Sequence, residues 1–547
     1  MHNDVLVQHP PLLIACLALG LLAACGDDDA PQTQAPGPDA GTPQDSTDVE
    51  PGADVEPGAD IEPGADIEPG ADIEPGADVE ADTSPPPVFT VPEGHFDFES
   101  RFVPGTSSVR YNGQTFRLVL QRDLVSYLGR ITGDIDSAAL EIIEDGDLVD
   151  RLNFWFRFDG ESDGDDTFRL STQPPTRQRT WNDIAGPGRS LVEKIAGNDP
   201  STDHRVWQTE FRGWSDTSLA AHGGDVSFPE GFFIALFETL EENAIARTEG
   251  IDRLGPGGEV LPVTVTETGL DLAQLIDKFL TVSLAFSQGV DDYLDDDVPG
   301  KGLLANNVDR DGTNPWTALE HQWDEAFGYF GAAVDYVDYT DDEIAGRGGR
   351  PERADGYFDT NGDGAIDLER EFNFGVAVNA ARRDRVAQAP TDFTGDAIEA
   401  FLEGRRLITE AGGALSEAQL DTLRAWRDQA VGAWERAISA TVVHYINKVL
   451  VDMAAFGTDA YSFTDHAKHW AEAKGFALGF QFNRLSPMLD DFEAFHTLLG
   501  DRPVLATADE AAITAYRAAL LEARDMLQQA YGFAAANMGD ENGIGGW

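Results

Sequence analysis

Cysteine is nearly absent. The 547 residues contain two, Cys16 and Cys25, both within the first 25, so the rest of the chain can form no internal disulfide. It must be held by a large core, by bound ions, or by both. Basic residues are scarce as well: 38 Lys and Arg stand against 98 Asp and Glu, a formal charge of −60. A field of that sign excludes nucleic acid and anionic lipid head groups as partners and favours cations, cationic partners and hard, oxygen-ligated metals. Catalytic signatures are missing too. His321 is followed by QWDE and His469 by WAEA, so neither HExxH nor HxxEH occurs, and there is no GxSxG elbow. Binding without catalysis is therefore the expected class, and a metal-dependent hydrolase the least favoured alternative.

The start of the chain reads as targeting sequence. PLLIACLALGLLAAC is apolar, too short to span a bilayer comfortably, and ends in Leu22-Ala23-Ala24-Cys25. It resembles a bacterial lipoprotein signal peptide over residues 1–24, although the leader carries no Lys or Arg. That resemblance implies cleavage before Cys25, lipidation of its thiol, and attachment to a membrane of the cell envelope, with the outer membrane expected.

Residues 25–90 read as a linker. From Glu50 to Val79 the hexamer EPGAD(V/I) repeats five times. Proline and glycine in every repeat stop helix and strand from propagating, and the carboxylates repel one another, so an extended acidic spacer is expected. At about 3 Å per residue its contour is roughly 190 Å. Residues 26–87 hold 18 acids and no base, so 79 of the 98 acids and all 38 bases belong to residues 88–547.

Residues 91–540 read as a mainly α domain, too long for one small core and suited to two antiparallel helical bundles with a small β-containing N-terminal part. The β expectation rests on SSVRYNGQTFRLVL, which alternates around Asn112-Gly113 as a hairpin would, and on NFWFRF. Apolar residues at three- and four-residue spacing predict helices over 271–294, 317–337, 395–408, 416–456, 464–483 and 509–533.

Two of these helices carry candidate metal ligands. In EHQWDEAFGYFG, His321, Asp324, Glu325 and Gly328 share one face of a helical wheel while Trp323, Phe327 and Phe330 share the other. In DHAKHWAEAKGF, His469 and Glu472 lie one turn apart. An imidazole and a carboxylate at this spacing can converge on one ion, a transition metal such as iron or zinc being one candidate beside Ca2+. The bland alternative for each is a surface pair or a satisfied interior hydrogen bond. His444, in TVVHYINKVL, reads as a packed core histidine, and Arg405 and Arg406, in EGRRLI, as partners of carboxylates inside the bundle.

These segments, with GLDLAQLIDKFLTVSLAF, GAIDLEREFNFG and HWAEAKGFALGF, resemble an uncharacterised group of bacterial lipoproteins related to the imelysin-like proteins, over roughly residues 96–535. The resemblance implies two helical bundles related by a pseudo-repeat, export to the envelope, a link to metal uptake, and a GxHxxE motif. His469 and Glu472 match the His and Glu of that motif, with Ala467 in place of its glycine. His321 matches with Asp324 in place of Glu, and Glu325 stands beside it.

A further constellation is DTNGDGAIDLEREF. Asp359, Asn361, Asp363, the Ala365 carbonyl and Asp367 fall at places 1, 3, 5, 7 and 9 of an EF-hand-type loop, with Ile366 at the hydrophobic eighth. Place 12 is Arg370, and Glu371 is the expected substitute if a helix begins one residue late. The pattern predicts a fixed structural Ca2+ ion.

Overall fold

The computed structural model describes residues 89–160, 164–184, 189–202, 204–215 and 227–547. The leader, Cys25 and the acidic repeats lie outside the described residues. The rest belongs to one compact unit, Ala81–Trp547, and is mainly helical.

The helices that build it are α1 (Asn112–Leu128), α2 (Asp147–Phe156), α3 (Phe228–Thr248), α4 (Leu272–Leu280), α5 (Ala318–Phe330), α6 (Gly375–Val386), α7 (Phe393–Ala411), α8 (Glu417–Ala454), α9 (Phe463–Ala477), α10 (Phe492–Leu499) and α11 (Glu510–Tyr531). The axis of the fold is α8, 38 residues long and thus about 57 Å. Ser416 and Gln419 start it with a reciprocal capping box. From Ala430 to Val443 nearly every side chain is buried, Gly432 and Arg436 being the exceptions. Apolar residues on all its faces let α6, α7, α9 and α11 pack around it. One hydrophobic core runs from Phe96 to Trp547.

Two expectations are corrected. The proposed hairpin at Asn112-Gly113 is the first turn of α1, and NFWFRF lies mostly in the second half of α2. Helix α1 is buried on most of its circumference, including Gln114, Arg117, Gln121 and Asp123, so its sequence carries no clean polar face, and a two-residue alternation is as visible as a helical one. In α2, Leu148, Leu152, Trp155 and Phe156 are buried at helical spacing. Among the described residues the β component reduces to isolated bridges such as Glu99 with Ser107 and Tyr357 with Phe372.

Glycine sets how closely α5 and α7 approach. A Cβ on Gly404 would stand 2.0 Å from Cζ2 of Trp323, whose indole N–H donates to the Phe401 carbonyl at 2.8 Å. Gly404→Ala is expected to lower stability by about 1–3 kcal/mol despite the better helix propensity of alanine, as read by urea unfolding.

Candidate functional site

Helix α5 is fixed by a capping box in which Thr317 and Glu320 satisfy each other's backbone amides. Its polar residues do not share one environment. Asp324 is 0% exposed and accepts from Nε of Arg405 on α7 at 2.8 Å. Arg405 also reaches Glu320 at 3.2 Å and donates to Ser108 Oγ at 2.7 Å. Burial pushes the Asp324 carboxyl up to about 7 against the pull of Arg405. His321 instead stacks on Trp316, with ring centroids 4.9 Å apart. Its Nε2 lies 3.7 Å from Glu325 Oε1, an oxygen that accepts from Gln114 of α1 at 2.8 Å. Its Nδ1 is buried without a hydrogen-bond partner. The shared face read from the sequence is therefore split: His321 stands with Glu325, while Asp324 neutralises an arginine.

Helix α9 splits its pair in the same way. Glu472 is fully buried and approaches Lys278 Nζ of α4 at 3.9 Å. His469 turns to the last turns of α8, where its Nδ1 lies 2.7 Å from Asp452 Oδ2. Nδ1 of His466 lies 3.7 Å from the same oxygen. Burial raises the Asp452 carboxyl, but the two imidazoles beside it outweigh this and hold it below the ordinary carboxylate value. His321 and His469 share no partner in these contacts. Among the described residues, no group of three or more His, Cys, Asp or Glu side chains is placed to hold a metal ion as the side chains stand.

The acidic loop is organised by its own backbone. Asp359 accepts from the amides of Gly362 at 2.7 Å, Asp363 at 3.1 Å and Gly364 at 2.8 Å. Asn361 accepts from Asp363 N at 2.9 Å, and Asp363 from Ala365 N at 3.0 Å. Glu371 folds back over the loop, taking Thr360 N at 2.9 Å and Asp367 N at 2.8 Å. It does so from a turn; the next helix, α6, begins only at Gly375. Arg370, at place 12, pairs with Asp97 at 2.6 Å. Ile366 pairs with segment 175–177, which brings Arg177 against Asp363 and, at 3.2 Å, Asp367. The cation nearest these carboxylates is thus a guanidinium from another segment.

Sequence reading passed over the most heavily charged part of the interior. After α4 the backbone widens into π turns at Thr281–Phe286 and Gly289–Tyr293, and GVDDYLDDD sends its carboxylates in different directions. Asp291 meets His204 Nδ1 at 2.6 Å and Arg484 Nε at 3.3 Å. Arg484 also reaches Asp295 at 3.6 Å and Asp297 at 3.1 Å. Burial, with Asp297 alongside, raises the Asp295 carboxyl to about 9, while burial and Asp199 raise Asp292 to about 7. Runs of aspartate usually mark a solvated face, and nothing in the run itself announces that π turns carry it inward.

Residues 237–342 match a family model described as Domain of unknown function (DUF4856). That match takes in the second half of α3, α4, the π turns with their aspartates, and the whole of α5. No curated protein and no solved structure matches the chain.

His444 lies in the core edge-on to Tyr445, with centroids 5.0 Å apart. Arg406, unlike Arg405, pairs with Glu403 on the surface of α7.

Proposed function

We propose that the chain is a cell-envelope lipoprotein, lipid-anchored at Cys25 to the outer membrane, whose helical domain binds metal without catalysis in iron or other metal uptake. The observation that supports this most is at the junction of α8 and α9, where the Nδ1 atoms of His466 and His469 face a single oxygen of Asp452. Two imidazoles and a carboxylate form a donor set suited to zinc or iron. His469 is also the residue that matches the imelysin-like motif, so kinship with that group belongs to the same proposal. His321 and Glu325 are a separate, weaker half-site.

The second reading is a calcium-stabilised surface module that binds a protein or polysaccharide. It is favoured by the loop at 359–371, whose oxygen donors alternate along the sequence and whose turn is tied to Glu371 through the amides of Thr360 and Asp367. Hard oxygen donors would hold Ca2+ there, with Arg177 displaced.

The test is calorimetric titration of the full-length protein, stripped with chelator, with Zn2+, Fe2+ and Ca2+. The metal content of the protein as isolated would be measured alongside. Asp452→Asn and His469→Ala are each expected to weaken transition-metal binding at least tenfold and leave Ca2+ binding unchanged, while Asp363→Asn does the reverse. Absence of Zn2+ and Fe2+ binding by the wild-type chain overturns the first reading. Ca2+ binding alone would then support the second.

A further inference from the structure

Halfway along α8 a second acidic residue is buried far from either candidate metal group. Glu435 is 2% exposed and sits at the floor of a pocket of about 360 Å3 between α8, α11 and the segment after α9. Three neutral groups point at its carboxylate: the Tyr531 hydroxyl donates to Oε1 at 2.7 Å, and the Ser486 hydroxyl and Asn483 amide donate as well. No cationic side chain pairs with it among the described residues, and burial alone sets the upward direction of its carboxyl, against those three hydrogen bonds. A buried carboxylate normally has an ionic partner, and this one retains an acceptor position, since two oxygens offer about four lone-pair sites.

One turn earlier, an independent feature marks the same cavity. Gly432 lies inside a continuous helix, where glycine costs about 1 kcal/mol relative to alanine, yet a Cβ built on it would meet nothing within 4 Å. No neighbouring residue requires the glycine, and it lines the same pocket as Glu435. The walls are apolar, formed by Val431, Leu485, Pro487 and Ala530, and the rim carries Asp428 and Arg436, one charge of each sign. A hard metal ion needs six or more oxygens, which this lining does not offer.

We propose that this pocket binds a small organic ammonium, its N–H donating to Glu435 and its apolar body lying over Gly432 against the side chains of Leu485 and Pro487. The site is independent of the metal reading. Titration of the full-length protein near neutral pH with benzylammonium chloride, and separately with benzyl alcohol, tests it. Benzylammonium is expected to bind at least tenfold more tightly than the neutral probe. Glu435→Gln should remove that preference. Gly432→Leu, which fills the cavity without touching the carboxylate, should abolish binding of both probes. Equal affinity for the two probes in the wild-type protein overturns the proposal, as does benzylammonium binding that survives Gly432→Leu. If Glu435→Gln fails to fold, the two-probe comparison and the glycine variant decide.

Discussion

Arg405→Met is expected to destabilise the protein by about 3–5 kcal/mol in urea unfolding, the range for breaking a buried ion pair from one side. Arg405 and both carboxylates it meets are 0% exposed. Its fork spans Asp324 and Glu320 of α5 and Ser108 before α1, and its guanidinium lies 4.9 Å from the centre of the Phe98 ring. Methionine retains most of the volume and none of the donors, so two carboxyl groups are left in a dry interior. Arg405→Lys is expected to fall between, because an ammonium supplies charge without the planar geometry that reaches Asp324, Glu320, Ser108 and Thr409 at once. Arg406→Met, at the exposed pair with Glu403, serves as the control and should change stability by less than about 1 kcal/mol. Equal effects at 405 and 406 would contradict the buried network.

Stability is expected to fall as pH rises from about 5.5 to 7.5. Burial raises Asp271 and Asp341 to about 6, and Asp292 and Glu369 to about 7. A carboxyl with a raised value in the folded state is still protonated where its unfolded counterpart has ionised. Folding therefore takes up protons there, and each such group costs up to about 1.4 kcal/mol per pH unit between its unfolded value and its raised one, the loss levelling off above the latter. His496 opposes this: burial holds it well below the usual imidazole value, so its neutral form is favoured on folding and stability is lost as pH falls below about 6.5. One imidazole acts against several carboxyls, and the net slope is negative. At the acid end, Glu343, held at about 2 first of all by Arg350, contributes stability that disappears only as pH falls below its unfolded value near 4.5. Melting temperatures at half-unit steps from pH 5 to 8 check the sign, and Asp292→Asn should flatten the slope. A melting temperature that rises toward pH 8 would refute it.

How much of this could be read beforehand differs by element. The limits read for α7, α8 and α11 agree with the structure to within a few residues, and side-chain caps fix their starts at Asp392, Ser416 and Asp509; the stretch read as helix over 464–483 runs past the end of α9 at Ala477 into a 3-10 turn, Leu478–Phe482. Helix α1 was misread because burial on nearly all sides erases periodicity. The predicted helix over 271–294 kept its limits but widened into π turns, which rotates every later side chain relative to the wheel. At the candidate metal positions the wheel placed His321 with Asp324 and His469 with Glu472. The actual partners came from elsewhere: Arg405 lies 81 positions from Asp324 and Asp452 lies 17 from His469. Spacing along one helix says which side chains point together; it does not say which neighbour is waiting for each.

The segment that leads into α1 bears on how load would enter the domain. Phe96 stacks on Phe327 of α5 with ring centres 3.8 Å apart, and His95 meets Asp338 at 3.0 Å just beyond that helix. Tension applied at residues 89–94 is thus delivered through His95 to Asp338 and through Phe96 to α5, the helix that carries His321 and Glu325.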